Sequence, residues 1–80
     1  MSKEILFFSS PWCGPCRQMK NMLNESINKE LNLTIIDISE DMEKATEYQV
    51  MNVPTFIILE NGKEVTRKIG AITIDGLRQL

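Results

Sequence analysis

Histidine is absent from the chain, and cysteine occurs only twice, at Cys13 and Cys16. A structural zinc site usually takes four nitrogen or sulfur ligands. Two cysteines cannot complete such a site, so a zinc or iron–sulfur centre would need two chains, and we expect no metal in this one. A structural disulfide is also a weak explanation, because a bridge between these positions closes a loop of about four residues and removes little entropy from the unfolded chain.

A long apolar run is missing as well. Lys3 and Glu4 near the N-terminus are followed by only four apolar residues, 5–8. Neither the apolar core of a signal peptide nor a membrane-spanning helix of about 20 residues fits such a run. We therefore expect a cytoplasmic protein that does not associate with membranes. In that reducing compartment, two close cysteines are more often catalytic or metal-binding than structural.

The sequence also lacks a strong charge of one sign. Its net charge is −2 and its nine lysine and arginine residues are scattered, which argues against a nucleic-acid partner. Eighty residues with 42% hydrophobic and 25% charged side chains are typical of one small globular domain. We expect residues 1–80 to form that single domain and to act as a monomer.

The sequence contains the five-residue motif Trp12-Cys13-Gly14-Pro15-Cys16, which lies between a strand-like and a helix-like pattern of apolar residues. The apolar run 5–8 before it predicts a buried strand. After it, apolar residues recur with the three- and four-residue spacing of a helix that has one covered face. These residues are Met19, Met22, Leu23 and Ile27. The motif therefore marks the place where a strand ends and a helix starts.

The two cysteines differ in their position on this helix. Cys13 lies at the N-terminal tip, where unpaired N–H groups and the positive end of the helix dipole stabilise a thiolate, and Pro15 is favoured in the first turn. Cys16 continues the inward stripe, so we expect it to be covered. Residues three apart in a helical turn bring their Cα atoms roughly 5–6 Å apart, within disulfide range. Cys13 is thus the predicted nucleophile.

The remaining patterns predict an α/β domain with element order βαβαββα. The predicted strands cover residues 4–9, 33–39, 55–60 and 63–69, with a hairpin at Asn61-Gly62 and an edge strand that alternates Val65 and Ile69 with charges. The predicted helices cover residues 14–30, 42–49 after an Asp41 cap, and a short segment after a Thr73 cap. The residues predicted to face inward from the later helices are Met42, Ala45, Tyr48 or Gln49, Ile74 and Leu77.

The motif, followed by Arg17, resembles the active site of thioredoxin. Three further segments resemble parts of that family: its cis-proline loop, its hairpin and its glycine turn facing the disulfide. They are Val53-Pro54-Thr55, Glu60-Asn61-Gly62-Lys63 and Lys68-Ile69-Gly70-Ala71. The resemblance covers residues 4–80. It implies a minimal thioredoxin fold, a four-stranded mixed sheet of order 2-1-3-4 flanked by helices.

The resemblance also implies a function. It implies a dithiol reductase of protein disulfides, in which Cys13 attacks the client disulfide, Cys16 resolves the intermediate, and Gly14 and Pro15 support the pair. The family's client-contacting positions correspond to Trp12, Val53, Pro54, Gly70 and Ala71, which we call the contact rim. Electrons would come from an NADPH-dependent flavin reductase, and the redox-active disulfide Cys13–Cys16 would serve without a bound cofactor.

The sequence departs from the family at a buried charge pair. Thioredoxins usually have a buried aspartate six residues before the first cysteine and a lysine nineteen residues before the cis-proline; the matching residues here are Phe7 and Ile35. Replacing both charges with apolar groups can be neutral or stabilising, whereas losing one leaves the other unpaired. We expect Phe7 and Ile35 to fill this buried site, and the proton on Cys16 to leave by water or by Cys13.

Two other functions fit parts of the sequence. The core lacks the preceding strand and helix of full-length thioredoxins, which suggests a glutaredoxin-type enzyme that uses glutathione. Against this, Gly70-Ala71-Ile72-Thr73 lacks the Gly-Gly-x-Asp-Asp-like turn of glutaredoxins, and the central dipeptide is Gly-Pro rather than Pro-Tyr. A non-catalytic binding module with the same fold is the other alternative. The intact cysteines and the contact rim argue against it.

Overall fold

Four strands form one mixed sheet in the order β2-β1-β3-β4. The computed structural model describes residues 2–80, and its strands are β1 (Lys3–Ser9), β2 (Leu33–Asp37), β3 (Thr55–Glu60) and β4 (Lys63–Ile69). The helices are α1 (Gly14–Met22), α2 (Glu25–Leu31), α3 (Met42–Glu47) and α4 (Ile74–Gln79). β1 pairs parallel with β2 and antiparallel with β3, which pairs antiparallel with β4. The predicted sheet order is confirmed.

Apolar side chains are buried on both faces of the sheet, because β1 and β3 are the central strands and their residues alternate between the faces. One cluster contains Ile5, Phe7, Cys16, Met19, Leu23, Leu33, Phe56, Ile58 and Leu77. The cluster on the other face contains Leu6, Phe8, Ile36, Ile57 and Leu59. Val53, in the loop before β3, packs against both clusters. None of the helices within residues 2–80 combines the length and apolar character needed to cross a bilayer.

The prediction of one helix over residues 14–30 is wrong, because the chain leaves the helical conformation at Leu23 and Asn24. Leu23 has extended dihedral angles and is the C-cap of α1, while Asn24 is the N-cap of α2. The Asn24 Oδ1 accepts a hydrogen bond from the Ile27 N–H at 2.9 Å. An asparagine that caps in this way favours a new helix start over a continuous helix.

Two other predicted elements extend beyond their ends in the structure. β2 stops at Asp37 rather than Ser39, since the Asp37 carboxylate accepts hydrogen bonds from the Ser39 N–H at 2.8 Å and its hydroxyl at 2.6 Å. This local bonding makes a turn. α3 begins after an Asp41 cap, as predicted, but ends at Glu47 because Gln49 has φ 54°.

Several apolar residues are more exposed than their spacing predicted. Met22 on α1 is 46% exposed and Met42 on α3 is 72% exposed, so neither contributes to the inward faces to which we assigned them. On the edge strand, Val65 and Ile69 are 53% and 56% exposed, and a register shift opposite Ile58 and Leu59 accompanies them. The predicted hairpin is present, with Asn61 at φ 54° and Gly62 at φ 82°.

Arg67 connects the edge strand to α3. Its guanidinium donates two hydrogen bonds to Glu64, at 2.6 and 2.8 Å, and one to the Tyr48 carbonyl at the end of α3, at 2.8 Å. We expect Arg67→Met to lower the free energy of unfolding by about 1 kcal/mol at pH 7, because a partly exposed ion pair and a helix-end hydrogen bond are lost. Denaturant titration measures this loss.

The pH dependence of the stability of Arg67→Met tests whether the ion pair with Glu64 causes this loss. The Glu64 pKa is lowered, mainly by the hydrogen bond from Arg67. A carboxylate with a lowered pKa stabilises the fold above its unfolded value of about 4.3 and loses that contribution as the pH falls through the folded value. The difference in the free energy of unfolding between Arg67→Met and the parent should therefore shrink below about pH 4. A difference that is the same at pH 3 and pH 7 would contradict the ion-pair explanation.

Candidate active site

The motif residues occupy the loop after β1 and the first turn of α1. Cys13 is the N-cap of the helix, and its Sγ accepts a hydrogen bond from the Cys16 N–H at 3.2 Å. The Cys13 N–H donates to the Ser10 carbonyl at 3.3 Å, and the Cys13 carbonyl accepts from the Arg17 N–H at 3.1 Å. Pro15 stands in the first turn, where no N–H is needed. These bonds hold the Cys13 sulfur over the positive end of the helix.

A disulfide joins Cys13 to Cys16, with a Cα–Cα distance of 5.2 Å. Cys16 is fully buried and belongs to the same core cluster as Phe7, whereas Cys13 is half-buried and packs at the edge of that cluster. Of the two cysteines, only Cys13 is therefore partly exposed to a partner molecule. Gly14 and Pro15, between the two cysteines, are both exposed.

Part of the contact rim is joined by backbone bonding. The Val53–Pro54 peptide bond is cis, and the Pro54 carbonyl accepts a hydrogen bond from the Gly70 N–H at 2.8 Å. Gly70 has φ 101°, which favours glycine, and Ala71 beside it is exposed. Val53 is half-buried and packs against the same core cluster as Cys13. The structure thus brings Val53, Pro54 and Gly70 together beside the cysteine end of the sheet.

Trp12 is the most exposed aromatic residue of the described chain, at 81%. This exposed apolar side chain lies directly before Cys13 in the chain. Trp12 is one of the positions assigned to the contact rim from the family resemblance. The Trp12 indole is thus a large apolar group next to Cys13 in the sequence.

The sequence interpretation missed Met51, which is 87% exposed in the loop that leads into Val53–Pro54. Together with Met42 it borders a groove of about 570 Å³ whose lining contains no charged residue. The lining residues are Ile38, Met42, Ala45, Thr46, Gln49, Val50 and Met51. A methionine outside any predicted helix or strand, three residues before a cis-proline, was the signal that could have identified it.

The predicted replacement of a buried charge pair is only half right. Phe7 is fully buried and stacks on Phe56, with ring centroids 4.6 Å apart. Ile35 is paired with Phe7 in the sheet register but is 39% exposed, because β2 is an edge strand. Only Phe7 therefore occupies a buried position. The aromatic stack fills the place where the family has a carboxylate.

No group of three or more histidine, cysteine, aspartate or glutamate side chains within residues 2–80 has an arrangement that could hold a metal ion. The reactive groups that the site presents are the sulfurs of Cys13 and Cys16, joined as a disulfide. A mixed four-stranded sheet with a disulfide across the first turn of α1, and a cis-proline loop at the same end, defines a thiol–disulfide oxidoreductase.

Comparison with known proteins gives the family. The Thioredoxin family model matches residues 2–80. The chain is 34% identical over 76 residues to thioredoxin of Bacillus subtilis (strain 168), covering 91% of this chain and 73% of that protein. It is 37% identical over 74 residues to the bifunctional thioredoxin reductase/thioredoxin of Mycobacterium leprae (strain TN), covering 88% of this chain and 16% of that protein.

A solved structure of Fasciola hepatica thioredoxin superimposes with a TM-score of 0.82 at 34% identity, covering 96% of this chain and 75% of that one. The chain belongs to the thioredoxin family. Its Cys13–Cys16 pair, at disulfide distance, makes it a thioredoxin-type dithiol oxidoreductase.

Proposed function

We propose that this protein reduces disulfides of client proteins, with Cys13 as the attacking sulfur and Cys16 as the resolving one. The observation that carries the assignment is the difference between the two sulfurs. Cys13 is half-buried, and its Sγ accepts a hydrogen bond from the Cys16 N–H at 3.2 Å, which stabilises negative charge on it, whereas Cys16 is fully buried. An accessible thiolate is the form that attacks a disulfide.

The reaction takes place in two exchanges. The Cys13 thiolate attacks one client sulfur, a Cys13–client bond forms, and the other client sulfur leaves as a thiolate that takes up a proton. Cys16, after losing its proton, attacks Cys13 Sγ; the Cys13–Cys16 bond forms, the Cys13–client bond breaks, and the second client sulfur leaves as a thiolate that also takes up a proton. The client has gained two electrons and two protons, and the dithiol has become the disulfide.

The contact rim would bind the client chain during these steps. Within residues 2–80, neither the N–H nor the carbonyl of Val53 takes part in the backbone hydrogen bonds formed by loops and turns. Both groups are thus available to an extended client segment, which would pair with Val53 as an added strand does. Trp12 and Ala71 would add apolar contact on either side. An exposed site of this kind suits a protein-sized disulfide better than an enclosed small molecule.

For the return of electrons we propose an NADPH-dependent flavin reductase. A relative that carries thioredoxin and its reductase in one bifunctional protein supports this choice. Low net charge and the lack of a long apolar run support a cytoplasmic, monomeric electron carrier formed by residues 1–80 as one domain. Glutathione is the alternative donor, although the turn at Gly70-Ala71 lacks the acidic residues by which glutaredoxins bind it.

A single experiment separates the donors and tests turnover. Reduction of a disulfide-bonded protein such as insulin is followed through NADPH consumption, once with thioredoxin reductase and once with glutathione plus glutathione reductase. We expect sustained consumption with thioredoxin reductase and little with glutathione. Faster turnover with glutathione would favour the glutaredoxin-type function, and no turnover with either donor would indicate a binding module.

Gly70 offers a test of the contact rim. We expect Gly70→Val to slow insulin reduction about tenfold, because the new side chain projects where the client backbone approaches. A Cβ at Gly70 meets no described atom within 4 Å, but a side chain at this positive φ strains the backbone, so the variant needs a control for strain. Closure of the Cys13–Cys16 disulfide by a small oxidant should be unchanged.

Gly62→Val is the matched control for backbone strain. Gly62 also has a positive φ, 82°, and open space around its Cβ position, but it lies in the hairpin turn. Both variants should lose similar stability, and only Gly70→Val should lose client turnover. Equal turnover in the two variants would exclude the Gly70 turn from the client contact.

A further inference from the structure

The sheet has two edge strands, β2 and β4, and they differ in how well they are protected against pairing with another chain. β4 has a register shift against β3 and carries charged side chains, and both features deter an added strand. These charged residues are Lys63, Glu64, Arg67 and Lys68. β2 has the sequence Leu-Thr-Ile-Ile-Asp, without lysine, arginine or proline, and pairs with β1 in continuous register. β2 is therefore the edge that is open to a further strand.

A hydrogen bond at each end of β2 shows which way its backbone groups point. Just before the strand, the Asn32 carbonyl accepts a hydrogen bond from the Ile5 N–H at 3.1 Å. Just after the strand, the Ile38 N–H donates to the Ser9 carbonyl at 2.9 Å. Asn32 and Ile38, both at even-numbered positions, thus direct backbone groups toward β1.

The odd-numbered residues of β2 direct their backbone groups away from the sheet. In an extended strand, the N–H and carbonyl of successive residues point to alternate sides, so Thr34 and Ile36 face β1 whereas Leu33 and Ile35 face outward. Within residues 2–80, neither Leu33 nor Ile35 takes part in the backbone hydrogen bonds formed by loops and turns. A donor and an acceptor from each of these two residues therefore line the open edge.

The two faces of the sheet differ beside this edge. Ile35 is the register partner of Phe7, whose side chain belongs to the core cluster that also contains Leu33, and Ile35 is 39% exposed on that face. The opposite face holds the cluster of Leu6 and Ile36, and a groove of about 410 Å³ lies there beside β2. One side of the open edge is thus apolar, and the other side is a groove.

The groove is acidic. The charged residues that line it are Glu4, Asp37, Glu40, Asp41 and Lys44. Among the described residues, the carboxylates of Glu4 and Glu40 take part in no hydrogen bond or ion pair, so both are free to pair with a partner's cation. A lysine or arginine side chain of a partner would be attracted to this groove, because complementary charge favours association and fixes register.

We propose that the β2 edge binds an extended segment of a partner protein in which apolar and basic side chains alternate. The backbone of this segment pairs with the outward N–H and carbonyl groups of Leu33 and Ile35, as an added strand does. Successive side chains of a strand point to opposite faces of the sheet. The apolar residues of the segment therefore pack beside Ile35, and its lysine or arginine residues lie over the acidic groove.

A second copy of this chain is a poorer occupant of the edge. Two β2 edges side by side would bring two acidic grooves together, and like charges across neighbouring strands are unfavourable. The β4 edge of a second copy offers basic residues, but Arg67 is already paired with Glu64 at 2.6 Å. The register shift at Ile58 and Leu59 also interrupts the regular pairing of β4. The partner is therefore a different protein.

Amide hydrogen exchange of the full chain, measured by NMR, tests the edge directly. In the free protein, the amides of Leu33 and Ile35 should exchange fast and those of Thr34 and Ile36 slowly. The probe is a short synthetic peptide of alternating valine and lysine. At about ten times its dissociation constant, exchange at Leu33 and Ile35 should slow about tenfold, because about one molecule in ten remains unoccupied. A peptide of alternating valine and glutamate should leave both rates unchanged.

Matched variants test the edge and the charge separately. Ile35→Lys places a positive charge on the open edge and should weaken binding of the valine–lysine peptide about fivefold or more. Val65→Lys makes the same kind of change on β4, where the side chain is 53% exposed, and should leave binding unchanged. Glu40→Gln should weaken binding about threefold, whereas Glu25→Gln, outside the groove, should not.

Four results would overturn the proposal. They are unchanged exchange at Leu33 and Ile35 at every soluble peptide concentration, equal binding of the two peptides, and loss of binding in Val65→Lys. The fourth is slowed exchange at Val53 in place of Leu33 and Ile35, which would assign the peptide to the contact rim.

Self-association has its own signature. Slowing at Leu33 and Ile35 that grows with protein concentration, without any peptide, would make a second copy the occupant and would also overturn the proposal. If Ile35→Lys does not fold, Glu40→Gln and the two peptides decide the question by the same exchange rates.

Discussion

Cys16→Ser is expected to accumulate mixed disulfides with client proteins in a cell lysate, whereas Cys13→Ser should form almost none. In Cys16→Ser, the accessible Cys13 still attacks, but no second sulfur can release the client. In Cys13→Ser, the remaining sulfur is fully buried and lacks the N–H bond that stabilises charge on Cys13. The contrast should be nearly all-or-none, because one variant keeps the attacking step and the other removes it.

The measurement is made on lysates whose free thiols have been blocked after mixing. Covalent complexes are separated on a non-reducing gel, released with dithiothreitol and identified by mass spectrometry. The variant with both cysteines replaced by serine controls for non-covalent capture. Equal trapping by the two single variants, or none by either, would contradict the catalytic assignment.

The second large effect is expected at Phe7. Phe7→Asp should lower the free energy of unfolding by about 4 kcal/mol near pH 7, through loss of the stack on Phe56 and burial of an unpaired carboxylate. Phe7 is fully buried, so the introduced charge has no direct access to water. A change of this size is a large part of the stability of a typical small domain.

The loss should depend on pH. Burial raises the folded pKa of an introduced carboxyl above its unfolded value of about 3.9, so the penalty grows as the pH rises between the two values and is smallest below the unfolded one. At acid pH, only the packing loss should remain. The asparagine in Phe7→Asn has nearly the same shape as the aspartate in Phe7→Asp but carries no charge. The loss of stability in Phe7→Asn should therefore not depend on pH. An unchanged denaturant midpoint for Phe7→Asp at pH 7 would contradict the buried position.

Ile35 provides a further control on this interpretation. Because Ile35 is partly exposed on the edge strand, Ile35→Lys alone should change stability little. Combined with Phe7→Asp, it should recover part of the loss, since the two positions are register partners on one face. No recovery would mean that the lysine side chain prefers water to the introduced carboxylate.

The sheet could be predicted from sequence because its signals are local and strong. Apolar runs 5–8 and 56–59 are long enough for central strands, and Asn61-Gly62 has the dihedral angles that its turn requires. The order of the strands and the cis-proline loop came from the family resemblance. Periodicity alone does not say which strands are neighbours.

The errors have a common physical origin. The spacing of Met19, Leu23 and Ile27 fits one helix, but it does not report that Asn24 can cap a new one. Met42 has inward spacing on α3, yet the helix lies so that this face borders an open groove. Apolar spacing reports only which residues could share a covered face. It contains neither the Asn24 cap, which joins atoms three residues apart, nor the placement of α3 on the sheet, which depends on residues far apart in sequence.

The position of Val53 between the two core clusters has a consequence for evolution and engineering. Val53 is supported from both faces of the sheet, whereas Met51 and Asn52, immediately before it, are exposed. Exposed side chains in such a loop make no contribution to the two core clusters, so we expect their exchange to leave the core packing in place. The surface next to the contact rim can therefore be varied at residues 51 and 52 while Val53 keeps its packing against both clusters.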